Sequence, residues 1–187
     1  TKIGSSAFYE CVNLTSITIP DGVTEIGVYT FSGCSNLKSV TLPNSITKIG
    51  KEVFSKCTKL TSITIPDGIT EIADGAFAGC SSLKSIILPN SVTKIGKEAF
   101  SKCTKLTSIT IPDGITEIAD GAFADCSSLK AITLPNSVTK IGKEAFSCCC
   151  SLTSITIPNG VTEIRDDTFS HCRSLTFITI PNSVIKI

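Results

Sequence analysis

The chain repeats itself every 23 residues, and that period limits what it can fold into more than any other feature. Prolines stand at Pro20, Pro43, Pro66, Pro89, Pro112, Pro135, Pro158 and Pro181, each 23 residues after the last. Phenylalanines keep the step from Phe8 to Phe169, and cysteines keep it from Cys11 to Cys172. A short fixed period marks a solenoid, in which each copy packs on its neighbours and no single central core exists. The 187 residues make eight copies with three residues over, which predicts one elongated domain spanning residues 1–187.

Residues 60–82, LTSITIPDGITEIADGAFAGCSS, serve as the type copy. Alternation in LTSITI sends Ile63 and Ile65 inward and Ser62 and Thr64 outward, the pattern of a half-buried strand. Pro66 ends the ladder because it has no N–H to donate. Pro66-Asp67-Gly68 then predicts a type I turn with Pro and Asp at its centre. Ile69 to Ile72 reads as a second short extended piece. Ala76, Phe77 and Cys80 fall at i, i+1 and i+4, which predicts a single helical turn with all three on one side. Copies stacked roughly 4.8 Å apart bury each inward column against the rungs above and below. Such a column should hold one residue type. The leucine column (Leu14, Leu37, Leu60, Leu83, Leu106, Leu129, Leu152, Leu175) does so without exception.

The motif L-x-x-[IV]-x-[IL]-P-x-x-[VI]-x-x-I-x-x-x-x-F-x-x-C-x-x resembles the leucine-rich repeats of the BspA-like (Treponema pallidum) type, over all eight copies. The resemblance implies a right-handed leucine-rich repeat solenoid, mainly β. A parallel sheet of LxxIxI strands would form one side and short strands or helical turns the other. It also implies a cell-surface or secreted protein that adheres to a protein ligand, such as an extracellular-matrix or host surface protein. The chain departs from the common leucine-rich repeat beyond the proline, where Gly68 or Ser45 stands in place of Asn or Cys. The usual asparagine ladder is therefore replaced, with the Pro-Asp/Asn turn as the substitute.

Charge narrows the partners. Seventeen basic and sixteen acidic residues leave a net +1, which gives no bulk attraction to nucleic acid or an anionic membrane. No apolar run reaches the roughly 18 residues needed to insert as a membrane span. One column alternates strictly: Lys2, Glu25, Lys48, Glu71, Lys94, Glu117, Lys140, Glu163, Lys186. A second runs Lys51, Asp74, Lys97, Asp120, Lys143, Asp166. These columns read either as an electrostatic binding strip or as a solvated ladder that holds register. Exposed pairs contribute little and alternation cancels the distant field, which favours the ladder.

The outward strand positions form a hydroxyl array that includes Ser62, Thr64, Ser108 and Thr110. Two large apolar residues interrupt it: Ile87 in the threonine column and Phe177 in the serine column. These six residues are the candidate interface. The array could meet a protein, a glycan or ice, or serve only strand propensity and solubility.

Eight of the ten cysteines belong to the repeat column and read as buried free thiols acting as small apolar groups. Cys148 and Cys150 break the pattern and read as the reactive thiols. Stacking places Cys148 between Asp125 and His171, a set that suggests a nucleophile or a zinc site. For an oriented base, however, the histidine would have to lie between the other two. No catalytic set, cofactor site or resident metal is expected. The leading reading is a non-enzymatic protein-binding or adhesion module. The alternative is a structural subunit that assembles into fibres or sheets through its ends or flanks. Copies entered and left in mid-repeat at Thr1 and Ile187 are expected to belong to a longer array capable of end-to-end self-association.

Overall fold

A computed structural model of the chain describes all of residues 1–187. The chain winds as a parallel β-solenoid of eight turns held by two strand ladders. The first is built of three-residue strands at Ser16–Thr18, Ser39–Thr41, Ser85–Ile87, Ser108–Thr110, Ser154–Thr156 and Phe177–Thr179. Bridges from Thr64 to Ile87 and from Thr110 to Thr133 continue it. The second is built of two-residue strands, from Lys2–Ile3 through Glu71–Ile72 and Lys94–Ile95 to Lys140–Ile141. Every pairing is parallel and steps by one copy, as in Ser16 with Ser39 and Glu71 with Lys94. Register cannot slip by one residue, because that would turn Ile63 and its equivalents outward.

Inward columns form one continuous core. The rings of Phe31, Phe54, Phe77, Phe100, Phe123 and Phe146 are fully buried. Successive rings from Phe8 to Phe169 stack with centroids 5.3–5.6 Å apart and planes within 18° of parallel. Leu37 through Leu152 are likewise buried, with Leu14 and Leu175 half-buried against the same core.

Two local expectations are corrected. The segment from Ala73 to Cys80 is a run of turns, not a helical turn, and the chain contains no helix. Its N–H groups divide between two directions. Ala76, Ala78 and Cys80 donate within the copy to the carbonyl three residues back, while Gly75, Phe77 and Gly79 donate to Lys97, Ala99 and Ser101 of the next rung. Left-handed residues every fourth position prevent an α-helix: Gly75 has φ 60° and Gly79 φ 73°. Glu52, Lys56, Glu98 and Lys102 adopt the same conformation in neighbouring copies without being glycine. Gly75 is also short of space, since a Cβ there would lie 2.6 Å from Glu52 Cγ.

The proline turn is displaced by one residue. The Ile69 N–H donates to the Pro66 carbonyl at 3.0 Å, so Pro66 opens the turn and Asp67 and Gly68 occupy its centre. In the alternate copies a serine follows Pro-Asn, and its hydroxyl donates to the rung below. Ser91 reaches the Ile69 carbonyl at 2.6 Å and Ser137 reaches that of Ile115 at 2.6 Å. Single serine bonds at every second rung therefore stand where an asparagine ladder is usual.

Candidate interaction face

The first ladder presents its Ser and Thr side chains to solvent, and five of the six candidate residues meet there. Ile87 lies between Thr64 and Thr110 in the ladder, and Ser85 beside it pairs with Ser108. Ile87 is 81% exposed. Ser62 and Thr64 line a shallow depression of about 340 Å³ against it, walled also by Ser85 and Pro89. Phe177 stands apart, paired with Ser154 and 63% exposed. It lies four rungs from Ile87, or roughly 19 Å at the ordinary strand spacing. The array thus carries two separate exposed apolar residues rather than one cluster.

The charged columns resolve into discrete pairs. Lys94 reaches Glu71 at 2.6 Å, Lys140 reaches Glu117 at 2.6 Å, and Glu25 takes both Lys2 and Lys48. In the second column Lys51 reaches Asp74 at 2.7 Å. The other oxygen of Asp74 accepts the Lys97 N–H at 3.0 Å, so one carboxylate ties three rungs together. The Lys51 hydrogen bond is the main cause that holds the Asp74 carboxyl below its usual range.

Among the cysteines all ten are free, and Cys34, Cys57, Cys80, Cys103, Cys126 and Cys149 are buried. Cys11 is exposed and Cys172 half-buried, so the expectation of a wholly buried column holds for six of its eight members. These thiols do more than fill space. Cys57 Sγ donates to the Phe31 carbonyl of the rung below at 3.2 Å, and the same bond recurs from Cys34 to Cys172. Burial, with the neighbouring thiol adding to it, pushes the Cys57 thiol up to about 12.

Cys148 and Cys150 are half exposed. Asp125, Cys148 and His171 do share one left-handed column, with φ near 60° in each. No three His, Cys, Asp or Glu side chains converge in metal-binding geometry. Cys150 Sγ instead lies 3.6 Å from the His171 carbonyl, and Cys148 Sγ lies 3.8 Å from Ser147 Oγ.

The family model described as the BspA type leucine rich repeat region (6 copies) matches residues 1–119 and 93–187. The chain belongs to the BspA-type leucine-rich repeat family. A crystal structure of the Treponema pallidum leucine-rich repeat protein is 36% identical and superposes with a TM-score of 0.78, over 81% of this chain and 71% of that one. A leucine-rich cell surface protein from Faecalibacterium prausnitzii is 32% identical with a TM-score of 0.64, over 95% of this chain. The chain spans only 62% of that relative's length. A leucine-rich repeat protein from Eubacterium ventriosum, 20% identical with a TM-score of 0.62, shares the fold. A search of the curated proteins returns no match.

Seen beside these BspA-type relatives, the fold and family were legible in the repeat, whereas the left-handed columns and the thiol ladder were not. Only four of the sixteen positions in the two left-handed columns are glycine, so composition gave no signal for them. The thiol ladder had one usable sign, a cysteine held invariant where alanine or valine would pack as well.

Proposed function

We propose that this chain is a non-enzymatic protein-binding module of a cell-surface or secreted protein, docking its ligand on the Ser/Thr face of the first ladder. The observation that carries the reading is the exposure of Ile87 and Phe177 in columns that are otherwise Ser or Thr, save for Ala131. Both stand on an otherwise polar, regular surface, and aromatic side chains are enriched among the residues that carry protein interfaces. The resemblance to a cell surface protein supports the location, and BspA-type repeats support a binding role over catalysis. The coil is taken to be right-handed, as the rule for parallel strand connections requires. We take residues 1–187 as one repeat domain and its ligand as a protein of the extracellular-matrix or host-surface kind.

The test is surface plasmon resonance against a panel of extracellular-matrix proteins. The double variant Phe177→Ser, Ile87→Thr restores the residues that neighbouring copies use. It should abolish binding while thermal stability shifts by less than about 1 kcal/mol, as expected of surface changes. Binding that survives both substitutions overturns the assignment of the face.

A further inference from the structure

The lysines of the chain fall into two populations. Lys2, Lys48, Lys51, Lys94, Lys97, Lys140, Lys143 and Lys186 all make ion pairs with acids of a neighbouring rung. Seven others make none and are exposed: Lys56 and Lys102, each just before a column cysteine, and Lys38, Lys59, Lys84, Lys105 and Lys130. The last five lie in the stretch from the column cysteine to the proline, which in all eight copies contains six cations and not one Asp or Glu. The near-neutral total therefore hides a strong segregation of charge.

These five lysines form a row. Each flanks the buried leucine of its copy: Lys59 and Lys105 precede Leu60 and Leu106, while Lys38, Lys84 and Lys130 follow Leu37, Leu83 and Leu129. Lys59 and Lys105 stand in turns closed by the Leu60 N–H on the Cys57 carbonyl and the Leu106 N–H on the Cys103 carbonyl, two positions before the column of Lys38, Lys84 and Lys130. Five consecutive rungs present one exposed cation each along the lead-in edge of the sheet, taken in turn from these two columns. Backbone hydrogen bonds fix the step of the second column, from Lys84 N–H to the Thr61 carbonyl, Thr107 to Lys84, and Lys130 to Thr107. At the ordinary strand spacing the row is roughly 19 Å long.

The contrast with the paired columns gives the row its meaning. Those columns alternate lysine with acid, so the chain neutralises itself. Here lysine alternates with Thr61 and Thr107, or with Ser82 and Ser128, and the compensating charge has to come from outside. Two adjacent columns that offer a cation in turn at successive rungs suit a linear polyanion. The row has no aromatic side chain for bases to stack on, which single-stranded nucleic acid sites use. The one large exposed apolar side chain near it, Ile87, lies three residues beyond Lys84 on the sheet face and outside the row. Hydroxyls flank the row instead.

We infer that the row Lys38, Lys59, Lys84, Lys105, Lys130 binds a sulfated polysaccharide lying along the solenoid axis. The site is distinct from the Ile87 and Phe177 anchors, and binding there neither needs nor excludes a protein ligand on the sheet face.

The experiment uses immobilised heparin, a salt gradient and two matched variants. One is Lys59→Ser, Lys84→Thr, Lys105→Ser, Lys130→Thr, which installs residues that adjacent copies already carry in those columns. The other, Lys51→Gln, Lys94→Gln, Lys97→Gln, Lys143→Gln, removes the same charge from the paired columns. The natural chain should be retained at about 0.15 M salt and released as screening rises. The row variant should bind at least about tenfold more weakly and the paired-column variant should bind nearly as well, since polyanion affinity follows the cations in contact. Flow-through of the natural chain at that salt overturns the inference, as does equal loss in both variants. Equal or tighter binding to an oligothymidylate overturns the polysaccharide assignment in favour of nucleic acid. Phe177→Ser, Ile87→Thr should leave heparin retention unchanged, so this inference and the protein-binding reading can fail separately.

Discussion

The phenylalanine column and the outward serine column step through the chain together, yet they tolerate change very differently. The first holds Phe at every copy from Phe8 to Phe169, while the second accepts Ala131 and Phe177 among its serines. Both are bonded into the same stack, so the backbone does not explain the contrast. Burial does. Phe100 is fully buried and stacks 5.5 Å from both Phe77 and Phe123, so any change there is felt in three rungs. Ser108 faces water and is constrained only by strand propensity and by whatever docks on it. The buried column is therefore invariant, while the exposed one tolerates exceptions.

The largest effect that can break this comparison is Phe100→Ala. It should destabilise the chain by about 3–5 kcal/mol, the range for emptying a well-packed aromatic site. Ser108→Ala should stay within roughly 0.5 kcal/mol. Guanidinium denaturation midpoints of the two variants measure both, and a similar shift in each would remove burial as the distinction.

Thiol reactivity sharpens the same comparison. Cys103 sits in the core column, where burial raises its thiol well above its usual range. Cys148 and Cys150 flank the equivalent buried Cys149 yet are half exposed. A bulky maleimide at neutral pH should label Cys148 and Cys150, together with exposed Cys11, in the folded chain. The six buried thiols should react only after denaturant is added. Mass spectrometry of the labelled peptides reads the outcome, and equal labelling of all ten would contradict the burial assigned to the column. The raised thiols also set a direction with pH. Their folded values lie above their unfolded ones, so their contribution is intact below pH 9.0. For Cys57 it is lost as the pH climbs from there through about 12.

The part of the structure that the sequence made legible is the part governed by burial and by period. Proline, leucine and phenylalanine spacing named the strands, their register and the inward columns. The off-pattern Ile87 and Phe177 marked the two large apolar side chains on the exposed face. Backbone conformation between Ala73 and Cys80 was not legible. The i, i+1, i+4 spacing of Ala76, Phe77 and Cys80 fits a helical turn as well as a looped one. The choice is made by hydrogen bonds to the next rung, such as Phe77 N–H to Ala99, which no single copy can form. Stacking also explains why Glu52 and Lys56 accept left-handed conformations that an isolated segment would avoid. The lysine row was hidden for a related reason. Summed charge does not say which lysines meet an acid, and only the stacked register separates Lys84, beside Thr61 and Thr107, from Lys94, beside Glu71.

The smallest effect concerns the paired columns, and Asp74→Asn isolates it. Asparagine keeps an oxygen that can accept the Lys97 N–H, so the bond between those two rungs survives. What disappears is the charge facing Lys51 at 2.7 Å. Lys51 is 64% exposed and Asp74 36%, so water screens much of their attraction. The expected loss is only roughly 0.2–1 kcal/mol, toward the lower end because of that exposure. Its dependence on conditions identifies it better than its size. The Lys51 hydrogen bond lowers the folded Asp74 value below the unfolded one, so the pair stabilises above the unfolded value near 3.8 and fades as the pH falls below it. The natural chain and Asp74→Asn should therefore differ at pH 7 and low salt, and converge both in strong acid and in about 1 M salt. A difference that persists at high salt would mean that asparagine fails to keep the Lys97 bond and that Asp74 acts through that contact. The alternating columns would then hold register by hydrogen bonding, leaving the lysine row as the face where charge decides what the solenoid meets.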